Sequence, residues 1–330
     1  MTKRCLVGAL LLVSLVACAP GQARLPLLRA AGAPPTTPPP TTTPPSPPPP
    51  AAPPTTVAPL PPPAAVVQTP AGVVLPVLGR QPGGWVVHTP CSNTVTVRRA
   101  TPVVSPQVVL DPGHGGDETG AVGPNRLRES VLNLAVARQA EAALKSAGVT
   151  VLLTRSGDYR ETLSTRTDIV TRLRPAAFVS VHHNSSPDGP HDGPGTETYY
   201  QFHSPASKRL AGLIYEEVAK TLSSYQLAWV GNVDAGAKYR LNDRGGDYYH
   251  VLREAGGVTT ALAELAFISD PPEADLLARP DVQQAEGQAV ARGVIRYLRT
   301  NDPGSGFVTP VPRTTPAPGG GAEGCVDPPL

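Results

Sequence analysis

Val108-Val109-Leu110-Asp111-Pro112-Gly113-His114-Gly115-Gly116 is the stretch from which the fold is read. An apolar run that ends in an acid and a proline reads as a buried strand, and Gly-His-Gly-Gly behind it reads as a tight turn. A histidine in that position stands at the carboxyl end of a strand, where open α/β sheets carry their sites. The glycines permit positive φ and leave room beside the imidazole. One histidine after a strand is also an ordinary turn residue, so its companions decide its weight. They are Glu129, then Ser180-Val181-His182-His183-Asn184 closing a second apolar run, then Ala263-Glu264-Leu265 closing a third.

From Gln107 onward strands and helices alternate, which predicts an α/β fold: an αβα sandwich with a mostly parallel sheet of about six strands and helices on both faces. The expected strands are 107–111, 149–154, 177–182, 196–201 and 259–264, with a sixth near 238–241. The expected helices are 127–147, 163–173, 205–223, 248–255 and 281–300. No internal repeat appears, so residues 107–300 read as one catalytic-sized domain. A short β lead-in is expected over 73–106, with strands at Trp85-Val86-Val87 and Thr94-Val95-Thr96-Val97.

The chain's 42 prolines and 32 glycines are unevenly spread, and most of the prolines fall outside that domain. From Gly21 to Thr69 most residues are Pro, Ala or Thr, a composition that buries no core and favours extended polyproline II. Residues 18–72 are therefore expected to be a stalk, with a reach on the order of 100 Å at about 3.1 Å per residue. Residues 301–330 form a second Pro/Gly-rich segment, a tail. The formal net charge of +2 and the lack of a basic patch interleaved with aromatics argue against nucleic acid as a partner. The chain is expected to act as a monomer.

Met1-Thr2-Lys3-Arg4 followed by the apolar run Cys5 to Val16 has the form of an export signal, too short to span a bilayer as a mature helix. Leu15-Val16-Ala17-Cys18 resembles a bacterial lipobox, which implies removal of residues 1–17 and a membrane anchor through lipid on Cys18. An ordinary signal cut near Ala19 or Ala23 is the other reading. Of four cysteines, Cys91 and Cys325 then remain near the two ends of the folded part. In an oxidising compartment they are expected to form a disulfide, against the alternative of two free thiols.

Glu129, Leu132, Val136, Ala140, Ala143 and Leu144 recur at three- and four-residue steps and share one helical stripe. The apolar members must face the sheet, so Glu129 faces it too, at the helix end nearest the His114 turn. A glutamate there also suits the helix dipole. Side chains alternate along a strand, so His182 and His183 cannot both aim into one site. One is the ligand candidate and the other a rim residue. Two histidines, one carboxylate and an open position make the catalytic type of zinc site. Glu264 lies in an apolar run, where an acid is either functional or paired, for instance with Arg155.

Val-Val-Leu-Asp-Pro-Gly-His-Gly-Gly-Asp-Glu-Thr-Gly-Ala at 108–121 resembles the opening motif of the zinc-dependent type 3 N-acetylmuramoyl-L-alanine amidases. Further motifs follow in the family's order: Arg128-Glu129-Ser130, Leu153-Thr154-Arg155, Arg166-Thr167-Asp168, Phe178 to Asn184, and Ala263 to Ser269. The resemblance covers residues 107 to about 298. It implies hydrolysis of the amide between N-acetylmuramic acid and the first L-alanine of the peptidoglycan stem, with peptidoglycan as the partner. By motif position it implies Zn2+ held by His114, Glu129 and His182, and Glu264 as the catalytic acid. Two departures stand out: Glu118 where the family more often has aspartate, and His183 where a small residue usually follows the ligand.

Some members carry an occluding helix after the histidine strand. Here Asn184 to Gly195 is too short and too rich in Pro, Gly and Asp for one, so the site is expected to be open. Arg155 and Arg166 read as loop-orienting groups, stem-carboxylate partners or structural ion pairs. Two other functions compete: another wall-directed metalloenzyme, such as a stem peptidase, and a non-catalytic lipoprotein that binds peptidoglycan.

Overall fold

The computed structural model describes residue 60 and residues 62–313 and 320–330. The export signal, Cys18 and most of the expected stalk lie outside the described residues.

The chain begins with β1 (Val66–Gln68), β2 (Val74–Gln81), β3 (Gly84–His88), β4 (Thr94–Val97) and β5 (Thr101–Pro102), which make a five-stranded antiparallel sheet in the order β4-β3-β2-β1-β5. The expected stalk boundary at residue 72 is thereby corrected. Val66 and Val67 follow directly on the proline tract, yet both are fully buried and pair with Pro76 and Leu75. Two adjacent β-branched residues are enough to make a strand once a partner such as β2 covers them.

The rest of the order is β6 (Val108–Pro112), α1 (Glu129–Ser146), β7 (Val151–Leu153), α2 (Leu163–Leu173), β8 (Ala177–Asn184), β9 (Gly189–Pro190), β10 (Glu197–Tyr200), α3 (Pro205–Leu222), β11 (Val230–Gly231), β12 (Gly236–Lys238), α4 (His250–Arg253), β13 (Thr260–Phe267), α5 (Pro271–Leu277) and α6 (Pro280–Arg299). The main sheet runs β12-β10-β13-β8-β6-β7. Strands β7, β6, β8 and β13 are parallel; β10 is antiparallel to β13, and β12 is parallel to β10. Strands β9 and β11 pair with each other.

Alternation along the strands builds both layers. Val108, Leu110, Val179, Val181, Ala263 and Leu265 pack with α1, α3 and α6 on one face. Val109, Phe178, Leu262 and Tyr199 pack with α2 and α4 on the other. On α1 Leu132, Val136, Ala140 and Leu144 of the predicted stripe are fully buried, and Ala143 is half-buried. Helix α2 begins where Thr162 accepts a hydrogen bond from the Thr165 N–H, and it ends at Arg174 in a left-handed conformation. The small sheet packs on α2, with the Arg172 guanidinium donating to the Val77 carbonyl at 2.7 Å.

The sixth strand lies at 236–238, two residues earlier than expected, and α5 was not anticipated. Helix α5 is one Asp270-capped segment between β13 and α6, and its Pro271-Pro272 start reads in sequence as a loop. The tail is tied down. Phe307 bridges to Ala237, and Cys325 is bonded to Cys91 with their Cα atoms 5.6 Å apart, as expected. Among the described residues no helix is long and apolar enough to cross a membrane.

Candidate metal centre

The His114 turn is built by its neighbours. Asp111, 1% exposed, accepts from Thr154 and Ser180 hydroxyls at 2.7 Å each and pairs with Arg166. Burial would push its carboxyl up, but the Arg166 cation overrides this and holds it below the usual range. Arg166 also donates to the carbonyls of Pro112 and His114, and Arg155 to those of Pro112, Gly113 and Ser130. The two arginines therefore satisfy the backbone of the turn. Arg155 spends its guanidinium on these carbonyls and on that of Gly157, and not on Glu264.

The turn places His114 at φ 59, an uncommon conformation for a residue with a Cβ. Two glycines make room for the site. A Cβ on Gly113 would lie 2.1 Å from the His182 ring, and one on Gly120 would lie 2.4 Å from Glu129 Oε2. Helix α1 begins at Glu129, two residues later than expected, and puts this acid at the helix end nearest the His114 turn. Glu129 Oε1 lies 3.0 Å from His182 Nδ1 and 3.3 Å from His114 Nε2. Its Oε2 accepts from the Ala121 N–H at 2.9 Å. His182 arrives from the end of β8.

One donor atom from each of His114, Glu129 and His182 lies within 4.8 Å of the others. The set of two imidazoles and one carboxylate suits a zinc-type ion with a position left open. The side chains of His114 and His182 are 23% and 17% exposed, so the cluster is reachable, and no helix intervenes between β8 and β10. Glu129 is the anionic centre of the cluster. Burial opposes charge on Glu129, yet hydrogen bonds with both histidines hold it well below the usual carboxylate range. Burial likewise opposes charge on His114, but its bonds to Glu118 and Glu129 raise it to about 10. For His182 burial wins, and its affinity for a proton falls.

Glu264 pairs in register with His182 across β13 and β8, and with Glu197 across β13 and β10. Residues opposite one another in a ladder share a face, so the three side chains form a row at the sheet's site end. Glu264 Oε2 is inaccessible and accepts no hydrogen bond among the described residues. Burial, then repulsion from Glu129 and Glu197, push its carboxyl well above the usual range. Glu197 is engaged on both oxygens, by Lys238 and Asn232 on one and by Asn184 and Tyr199 on the other.

One expectation is corrected. His183, predicted as a rim residue, is 1% exposed and points to the opposite face, where α1 and α6 cover it. Its ring meets Asn133 Oδ1 at 2.8 Å and Glu286 Oε1 at 3.4 Å. Asn133 in turn donates to Glu129 Oε1 at 3.2 Å. A strand covered on both faces has no rim at this depth. Glu118, Asn133 and Glu197 are site residues that the sequence reading did not assign. Only Glu118 left a signal, its spacing of four from His114.

A family model described as N-acetylmuramoyl-L-alanine amidase matches residues 108–296, more than half of the chain. The uncharacterized protein YqiI of Bacillus subtilis is 32% identical over 210 residues, which cover 63% of this chain and 90% of that protein. The N-acetylmuramoyl-L-alanine amidase LytC of Bacillus subtilis is 29% identical over 215 residues, 64% of this chain but 40% of LytC. Among solved structures, Cwp6 from Clostridium difficile aligns with TM-score 0.52 at 30% identity over 58% of this chain and 29% of Cwp6. An N-acetylmuramoyl-L-alanine amidase from Clostridium difficile 630 shares the fold, with TM-score 0.51 at 24% identity over 61% of this chain and all of that one. The chain belongs to the N-acetylmuramoyl-L-alanine amidase family.

Proposed function

We propose that this enzyme hydrolyses the amide between the lactyl group of N-acetylmuramic acid and L-alanine in peptidoglycan, with zinc held by His114, Glu129 and His182. The observation that carries the reading is the reachable His-Glu-His cluster with Glu264 in register beside it, inside a family match over 108–296. Zinc in that position supplies Lewis acidity, which activates water near neutral pH and polarises an amide carbonyl. Glu264 is the proton carrier. As a carboxylate it takes the proton of the attacking water, and as an acid it returns that proton to the leaving nitrogen of L-alanine. Its raised proton affinity suits the second half of that cycle, because a carboxyl that holds its proton more tightly than a free glutamate is available as an acid closer to neutrality. Glu197, which pairs with Lys238 and faces Glu264 across the ladder, adds to that rise by repulsion.

The export signal, a lipid on Cys18 and the proline-rich stretch after it would hold the domain on the outer side of the cytoplasmic membrane, within reach of the wall. The test is removal and return of metal. Chelated enzyme should release no stem peptide from purified peptidoglycan, and stoichiometric Zn2+ should restore release. Full activity after exhaustive chelation would sink the reading.

A further inference from the structure

The C-terminal segment reaches the loop that follows His114 through Arg160. Arg160 is the hinge of that contact, with its side chain 13% exposed. Its guanidinium donates to the carbonyl of Gly321 at 2.7 Å and to that of Glu323 at 3.0 Å, both in the tail. The same group donates to Asp117 Oδ2 at 3.0 Å and pairs with Glu118 Oε2 at 3.4 Å, both in the loop that follows His114. The other oxygen of Glu118 lies 3.1 Å from His114 Nδ1. His114 Nε2 faces Glu129, so the two ring nitrogens have distinct partners, one outward to Glu118 and one into the cluster.

The tail end of this chain of contacts is fixed. Cys325 is bonded to Cys91 across 234 residues. Asp327 accepts from the Cys91 N–H and from Asn93 Nδ2 at 2.8 Å each, and the Leu163 N–H donates to the Gly320 carbonyl at 3.2 Å. The turn end is tight as well. A Cβ on Gly115 would lie 2.1 Å from the Tyr159 carbonyl, and one on Gly116 would lie 2.8 Å from the Arg160 nitrogen. The loop that bears Arg160 therefore presses on the His114 turn with no slack.

Resting on the metal-centre reading above, we infer that Arg160 and Glu118 are positioning residues for His114 and that the disulfide-clipped C-terminal segment is a working part of the metal centre. A ligand histidine is set in tautomer and orientation by the acceptor on its other nitrogen, and loss of such a partner costs about 10- to 100-fold in metal affinity. Here that acceptor is held by a guanidinium, and the guanidinium by the tail. Reduction of one disulfide distant in sequence would thus loosen the metal.

The test is the zinc dissociation constant of the full-length chain, measured by competition with a chromophoric chelator in wild type, Glu118→Ala, Arg160→Ala, the double variant, and Cys91→Ser with Cys325→Ser. Each change should weaken zinc roughly tenfold. Arg160→Ala should add nothing once Glu118 is gone, because both act through the same ring nitrogen. A purely structural role would lower the unfolding midpoint and leave zinc affinity unmoved. If Arg160→Ala and the disulfide-free variant bind zinc like wild type while His114→Ala does not, the inference falls and the metal centre stands. If His114→Ala binds zinc like wild type, both fall. Should the disulfide-free variant not fold, the Glu118/Arg160 cycle decides by itself: additive losses overturn the inference, and non-additive losses support it.

Discussion

Two acids divide the labour at the centre of this site, and their surroundings explain why. Hydrogen bonds with two imidazoles lower the proton affinity of Glu129 against its burial, whereas burial and neighbours of its own sign raise that of Glu264. Glu264→Ala should therefore retain stoichiometric zinc by metal analysis and lose about 10²- to 10⁴-fold in turnover. His114→Ala should lose the metal instead, and retained stoichiometric zinc in that variant would contradict its assignment. A third acid bears on stability. Burial lifts Glu161 to about 8, with Arg166 opposing, so the folded chain keeps a proton that an unfolded glutamate releases above about 4.5. The contribution of Glu161 to stability must then fall as pH rises from about 4.5 through about 8. Relative to wild type, Glu161→Gln should gain in unfolding midpoint across that window at saturating zinc. A difference that stays constant with pH would show that Glu161 does not titrate there. The places of His114 and Glu129 were legible in sequence because one follows strand β6 and the other opens α1, whereas Glu264, expected to close its strand, lies inside β13. The surroundings of His183 were not legible, since its partner Glu286 lies 103 residues away.

At the scale of elements, α6 is the helix that locks the site's foundation, because it packs on α1, which carries Glu129 and Asn133. The crossing is close. A Cβ on Gly287 would lie 2.5 Å from Gln139 Cβ and 2.6 Å from the Val136 carbonyl. Gly293 makes the same kind of approach to α3, 2.7 Å from Ile214 Cα. Alanine is the better helix former in isolation, so propensity alone predicts that Gly287→Ala stabilises. Packing reverses the sign, and the account predicts a loss of about 1–3 kcal/mol by denaturant unfolding. An unchanged or raised stability would show that the helices can separate at little cost. The apolar periods made the four long helices of the α/β layer readable, α2 to the residue, while the helix expected over 248–255 shrinks to the single turn of α4. Elements that depend on partners far along the chain were not readable: β1 exists because β2 covers two valines, and α5 hides behind two prolines.

For the whole molecule, the two ends of the folded part are drawn together. The small sheet packs on α2, the tail runs back across the domain, and the Cys91–Cys325 bond closes a loop of 234 residues. By the chain-entropy estimate, replacing both cysteines with serine should cost up to about 5 kcal/mol, read as a lowered unfolding midpoint at saturating zinc. An unchanged midpoint would mean that the tail's hydrogen bonds hold it without the bond. The pairing was legible from compartment and count, but its proximity to the His114 loop was not, because Arg160 reaches a carbonyl 163 residues onward. The central claim is the identity of the bond cut, and the most direct measurement is mass spectrometry of the products released from purified peptidoglycan, with Glu264→Ala alongside. The account predicts free stem peptides beginning with L-alanine, absent from the variant. Fragments cut within the stem, or the same products from Glu264→Ala, would contradict it.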